Sequence, residues 1–130
     1  KVKALNLKPM AKIIGYSTFA HDPKWFTTAP VGAMKKLLEK TGKQAADIDL
    51  WEINEAFANV TMAAIHDLKL DAAKVNINGG AIALGHPIGA SGNRIFTTLI
   101  HSLQQYDKQF GVASLCIGGG EAVAVMIERV

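Results

Sequence analysis

The chain has 130 residues, nearly half of them apolar (49%), and a formal net charge of +3. That length suits one domain with its own core, and dispersed charge beside such apolar content excludes a disordered chain. No apolar run approaches the ~18 residues of a membrane-spanning helix, and the lysines fall singly or in pairs such as Lys35-Lys36, without the basic stripe that nucleic acid requires.

Residues 11–18 (Ala-Lys-Ile-Ile-Gly-Tyr-Ser-Thr) suit a first strand. A loop follows over 21–29, with Asp22-Pro23 inside it. Pro30 opens a helix at a position where its missing N–H does no harm. Val31, Met34, Leu37 and Leu38 form the apolar stripe of this helix, and Gly42 stops it. Residues 47–53 read as a second strand, weighted by Ile48, Leu50 and Trp51. Asn54 is placed to cap the next helix, which runs to about Leu68 with Phe57, Thr61, Ala64, Ile65 and Leu68 on one side. Residues 75–78 form a short third strand ahead of a glycine-rich segment. A helix over 91–106 carries Ile95, Phe96, Leu99, Ile100 and Leu103 at helical spacing. Residues 112–117 and 122–127 close the chain as a hairpin across Gly118-Gly119-Gly120. The order βαβαβαββ predicts one α/β domain over residues 1–130, with a mostly parallel five-stranded sheet and helices on its faces.

Within the glycine-rich segment, glycines at 79, 80, 85, 89 and 92 surround His86, which Pro87 follows. Histidine exchanges protons near neutral pH, and glycine lets the backbone approach a ligand closely. The only cysteine, Cys116, opens a second glycine run, Cys116-Ile-Gly-Gly-Gly120. One cysteine forms no internal disulfide, and zinc would lack soft ligands, so no metal site and a reducing compartment are expected. Two reactive side chains in glycine-rich turns point to thioester or acyl chemistry. A third motif, Asn54-Glu-Ala-Phe-Ala58, sits at a strand-to-helix junction. Each motif also has a plainer reading: a histidine filling a tight turn, a buried apolar thiol, and an N-cap with Glu55 as a first-turn acid. Cys116 and His86 have the residue types of a nucleophile–base pair, although sequence distance does not establish contact. His21, His66 and His101 have no comparable setting. Phosphate loops are rejected, because no lysine follows a glycine in the Walker register and Gly118-Gly119-Gly120 leads into a strand.

Taken together, Asn54-Glu-Ala-Phe57, Gly85-His-Pro87 and Cys116-Ile-Gly-Gly-Gly120 resemble the carboxy-terminal signatures of thiolases (acetyl-CoA acetyltransferases and 3-ketoacyl-CoA thiolases). The resemblance extends to Asn76-Ile-Asn-Gly-Gly80 and Gly89-Ala-Ser-Gly92, and covers nearly the whole chain. It implies one βαβαβαββ half of a thiolase, the carboxy-terminal domain. The nucleophilic cysteine and most of the coenzyme A loop would then lie in an amino-terminal half, the first partner of this domain. A start at Lys1 rather than Met agrees with a piece of a longer polypeptide.

By this resemblance His86 would deprotonate the absent nucleophile and hydrogen-bond the thioester oxygen. Asn54 would hold a water that completes the same oxyanion hole. Cys116 would be the acid–base, and the Gly118 N–H would belong to a second oxyanion hole. Ala56 and Phe57 would border the acyl or pantetheine end of the pocket. The substrates implied are coenzyme A thioesters, with no covalently bound cofactor, no nucleic-acid or membrane partner, and a homodimer or tetramer at full length. The chain alone is expected to be inactive. A cytoplasmic home is expected, a mitochondrial one being compatible with the same residues. One departure is Glu121, where many relatives carry Met or another uncharged residue; it is expected to face solvent at the hairpin. Other readings stay open. A ketoacyl-synthase-like condensing enzyme would commonly have a second histidine where Asn54 stands. A free-standing cysteine hydrolase would use Cys116 with His86. A non-catalytic coenzyme A or lipid-binding module would need none of these groups.

Overall fold

The computed structural model describes residues 1–130. Its elements are β1 (Ala11–Ala20), α1 (Ala29–Thr41), β2 (Leu50–Ile53), α2 (Ala58–Leu68), the single-turn α3 (Ala81–Leu84), α4 (Ile88–Gln105), β3 (Phe110–Ile117) and β4 (Glu121–Arg129). Alternation along β2 turns Leu50 and Glu52 to one face of the sheet and Trp51 and Ile53 to the other. Two cores result. The larger packs Met34 and Leu37 of α1 and Val60 and Ala64 of α2 against Trp51, Ile53, Val112 and Met126. The smaller packs Ile95, Leu99 and Leu103 of α4 against Leu50, Ala113 and Ile127. Packing here is close enough that a Cβ on Gly111 would meet Leu99 Cδ1 at 2.6 Å.

The sheet corrects the expected architecture. It has four strands in the order β1-β4-β3-β2, and it is mixed rather than mostly parallel and five-stranded. Only β2 and β3 run parallel; β4 pairs antiparallel with both β3 and β1. The hairpin turn reverses β4, and β1 then joins its outer edge instead of neighbouring β2.

Residues 75–78 do not form a strand, for a reason visible in one side chain. Val75 bridges Trp51 in parallel, and the Asn76 N–H donates to the Trp51 carbonyl at 2.8 Å. Asn76 then turns left-handed, at φ 48°. Its side-chain Oδ1 accepts from the Ile53 N–H (2.8 Å), and its Nδ2 donates to the Ile53 carbonyl (2.9 Å). One carboxamide thus does for Ile53 what the next strand residue would have done.

Smaller boundaries also move. Asn54 caps no helix: its N–H donates to the Ser114 carbonyl at 2.9 Å, prolonging the parallel ladder, and α2 starts later with Phe57 in extended conformation at its N-cap. α4 begins at Ile88, ahead of Ser91, because the Pro87 carbonyl already accepts from the Ala90 and Ser91 N–H groups at 2.7 and 2.9 Å. The loop over 21–29 contains a 3₁₀ turn, Pro23–Thr28, in which the Asp22 side chain accepts from the Lys24 N–H. The second strand shortens to Leu50–Ile53, its expected start lying in a 3₁₀ turn at Ala45–Asp47.

α1 covers one face of β1 and β4, while α4 reaches β4 at Ile127 and leaves the far part of their other face open. The result is an apolar groove of about 390 Å³ between α4 and the sheet, lined by Tyr16, Phe96, Leu115, Val123 and Val125 among others.

Replacing Asn76 with Ala orphans both backbone groups of Ile53, each worth roughly 1–3 kcal/mol when left unpaired in the interior. A fall in unfolding free energy of at least that size is expected by urea denaturation, with no rescue by Asn76→Asp, whose second oxygen would face the Ile53 carbonyl and the Glu55 carboxylate.

Candidate active site

In sheets with parallel strands, ligand sites form outside the carboxyl ends of those strands. Here the parallel pair is β2 and β3, and their carboxyl ends bring two of the predicted residues together. Asn54 follows β2, its backbone paired with Ser114, and Cys116 lies two residues further along β3. Asn54 is fully buried, and its Oδ1 has no protein partner.

His86 comes to the same place from the glycine segment. Gly85 holds φ 92°, a conformation that strains any residue with a Cβ, and Pro87 fixes the entry to α4. The imidazole is exposed, and its Nδ1 lies 2.6 Å from Ser91 Oγ. The Ser91 hydroxyl donates in turn to the Pro87 carbonyl at 3.2 Å. We assign the single hydroxyl proton to Pro87, so that Ser91 Oγ accepts from Nδ1–H. This assignment leaves the Nε2 lone pair free, the tautomer of a base. Asn54 Nδ2 lies 3.5 Å from both ring nitrogens, too evenly placed for an in-plane hydrogen bond to either. His86 is therefore gripped by α4 through Ser91 and flanked by the end of β2 through Asn54.

Glu55 is not a first-turn acid. Its carboxylate accepts from Asn76 Nδ2 (3.2 Å) and from the Ile82 N–H (3.1 Å), bracing the segment that carries His86. Gly80 packs against that carboxylate so closely that a Cβ there would collide with it.

Cys116 is half-buried against the larger core. Burial pushes its thiol above the ordinary cysteine value, with its own backbone pulling weakly the other way. The thiol is thus protonated at neutral pH. No hydrogen bond joins it to His86, whose hydrogen-bond partner is Ser91, so the nucleophile–base pair of a free-standing hydrolase is not formed.

The glycines after Cys116 divide by role. Gly120, at φ 95°, presses on the His21 carbonyl, and only a residue without a Cβ fits there. Gly118 is exposed with open space around it, and its N–H donates to no carbonyl of the chain. Ala56 is half-buried against the larger core, whereas Phe57 stands 59% exposed and meets Phe26 edge-on at 6.0 Å. Glu121 is exposed at the start of β4, and burial rather than its charge governs the Cys116 thiol. No cluster of three or more His, Cys, Asp or Glu side chains is placed to hold a metal ion.

Ser91 was not singled out by sequence reasoning, although a signal exists. It lies on the face of α4 that buries Ile95 and Leu99, and a serine in an apolar stripe needs a partner.

An imidazole, a half-buried thiol and an exposed backbone N–H thus lie around the ends of the two parallel strands of an α/β domain. The chain matches the family described as thiolase, C-terminal domain, over residues 7–129, and it belongs to the thiolase family. It is 52% identical to an acetyl-CoA acetyltransferase of Schizosaccharomyces pombe, spanning all of this chain and 33% of that protein. Among solved structures it is similar to an acetyl-CoA acetyltransferase of Bacillus anthracis (47% identity, TM-score 0.97) and to human mitochondrial 3-ketoacyl-CoA thiolase in complex with CoA (46% identity, TM-score 0.96). Both matches cover 99% of this chain and 33% of the other. The chain therefore spans about a third of the length of these relatives.

Ser91→Ala removes the acceptor that holds His86 Nδ1–H. The ¹⁵N chemical shifts of the imidazole should move from a single Nδ1–H tautomer toward a mixture of both; unchanged shifts would refute the assignment.

Proposed function

We propose that this chain is the carboxy-terminal catalytic domain of a thiolase that transfers acyl groups between coenzyme A thioesters and coenzyme A. What supports this reading is His86, engaged by Ser91 and flanked by the buried Asn54 at the end of β2, with Cys116 two residues beyond the backbone partner of Asn54 on β3. The amino-terminal half of the same protein supplies the nucleophilic cysteine. The apolar groove beside α4 is a surface for that half to cover, and the assembled protein is a homodimer or tetramer, cytoplasmic by preference.

In the cleavage direction, His86 Nε2 takes the proton of the nucleophilic thiol, and the thiolate attacks the 3-keto carbon of the substrate. The bond between C2 and C3 breaks, leaving an acyl-enzyme and the enolate of acetyl-CoA. Cys116 gives its proton to C2, and acetyl-CoA departs. Coenzyme A then attacks the acyl-enzyme, its thiol proton passing to a base of the site, and the nucleophilic cysteine leaves as thiolate. Condensation is the reverse, with the Cys116 thiolate removing the α-proton of acetyl-CoA. His86 and a water held by Asn54 stabilise the enolate oxygen. The Gly118 N–H serves the tetrahedral intermediates at a second oxyanion hole, and Ala56 and Phe57 border the acyl or pantetheine end. Preorganised donors of this kind typically contribute ~10²–10³ in rate apiece.

In the full-length protein, His86→Ala should lower kcat for acetoacetyl-CoA thiolysis by ~10²–10⁴, the span of general acid–base catalysis. The 130 residues alone should show no turnover; measurable cleavage by them would sink the reading.

Cleavage also requires Cys116 as the protonated thiol. Because burial raises its pKa, single-turnover release of acetyl-CoA should persist to higher pH than an ordinary thiol of pKa ~8.5 allows, then fall as Cys116 ionises. An alkaline limb at or below that value, or one unchanged in Cys116→Ser, would assign the proton to another group.

A further inference from the structure

Beneath the His86 cluster lies the only charged residue that the chain buries. Glu52 on β2 is 2% exposed, and its Oε2 lies 3.5 Å from Nη1 of Arg94 on α4. Strand alternation turns Glu52 to the same face as Asn54, two residues on. Arg94 lies one helical turn beyond Ser91, on the same side of α4. The two elements that grip and flank His86 are therefore also joined by this ion pair. Their remaining contacts, Leu50 among Ile95, Leu99 and Leu103, are apolar and have no preferred direction.

We propose that Glu52 and Arg94 are the positioning pair of the site, fixing where α4 stands along β2 and so holding Ser91 and Asn54 at the imidazole of His86. The role rests on the reading of His86 as the base.

The pair is a poor stabilising device, which argues for a geometric one. Glu52 Oε2 and Arg94 Nε and Nη1 are buried without hydrogen-bond partners. Buried ion pairs with such unmade bonds are commonly matched or bettered by apolar residues of similar volume. The groups that face Glu52 are Arg94 from α4 and Glu55 from the turn after β2; burial pushes its carboxyl up to about 7, with Arg94 opposing and Glu55 adding. What an apolar replacement lacks is a charge attraction between one point on β2 and one on α4. A displacement near 1 Å in an active site costs ~10² in rate, so small sliding of α4 is enough to matter.

The test uses the full-length protein with Glu52→Gln and Arg94→Lys, and reads acetoacetyl-CoA thiolysis together with the ¹⁵N shifts of His86. Expected are a kcat lowered about tenfold or more, by the same positional argument, a KM for coenzyme A within twofold of the parent, and shifted His86 resonances. The Arg94 variant keeps the charge and loses the planar fork, and it carries the test alone if the Glu52 variant does not fold. Folded variants with parental kcat and parental His86 shifts would overturn the positioning role. Lowered thermal stability with unaltered kcat and shifts would overturn it equally, by reducing the pair to a structural contact. A parent protein without thiolysis would overturn the functional reading, and the His86 shifts would still decide the positional one.

Discussion

The site depends on the bond pair between the Asn76 carboxamide and the backbone of Ile53. By satisfying both groups of Ile53 with one side chain, Asn76 closes the edge of the sheet without a further strand. The same residue turns left-handed, which diverts the chain away from the sheet. The segment released in this way crosses the carboxyl end of β2 and delivers His86 beside Asn54. Glu55 then fixes the far side of that segment by accepting from Asn76 and from the Ile82 N–H. Had the strand continued, its backbone would have occupied Ile53, and His86 would have been carried off along the sheet edge.

Chemistry and support are divided among neighbouring residues of one kind. Gly80, Gly85 and Gly120 serve the fold, the first by admitting the Glu55 carboxylate and the others by adopting a left-handed backbone. Gly118 meets no such demand from its own chain, for open space surrounds it. The acidic residues divide likewise. Glu55 is spent on backbone and amide donors, Glu52 on an arginine across the smaller core, and Glu121 on solvent.

The helices and the closing hairpin were legible because amphipathic spacing and turn glycines act locally. Val31, Met34, Leu37 and Leu38 form the buried stripe of α1 as read, and Gly42 ends it in the left-handed conformation. The third strand was misread because Val75 to Asn78 has strand-like content, while the competitor is a side chain acting on a residue 23 positions away. Asn54 was misplaced as a cap for a related reason. Asparagine favours both helix starts and buried polar sites, and only the pairing of its N–H with Ser114 decides between them. Strand direction was equally hidden, since alternation of strands and helices suggests parallel pairing while the hairpin imposes an antiparallel partner on β1.

The sequence by itself determined the inventory of reactive groups: one imidazole and one thiol, each in a glycine turn, and an asparagine motif between them. These are statements about residue type and near-neighbour spacing, which local chemistry decides. Tertiary structure alone decided the working state of each group. Burial set the protonation of Cys116, the hydroxyl of Ser91 engaged Nδ1 of His86, and α4 resting on β2 brought Glu52 under Arg94. Those outcomes rest on distances between residues far apart in the chain, and no local pattern encodes them.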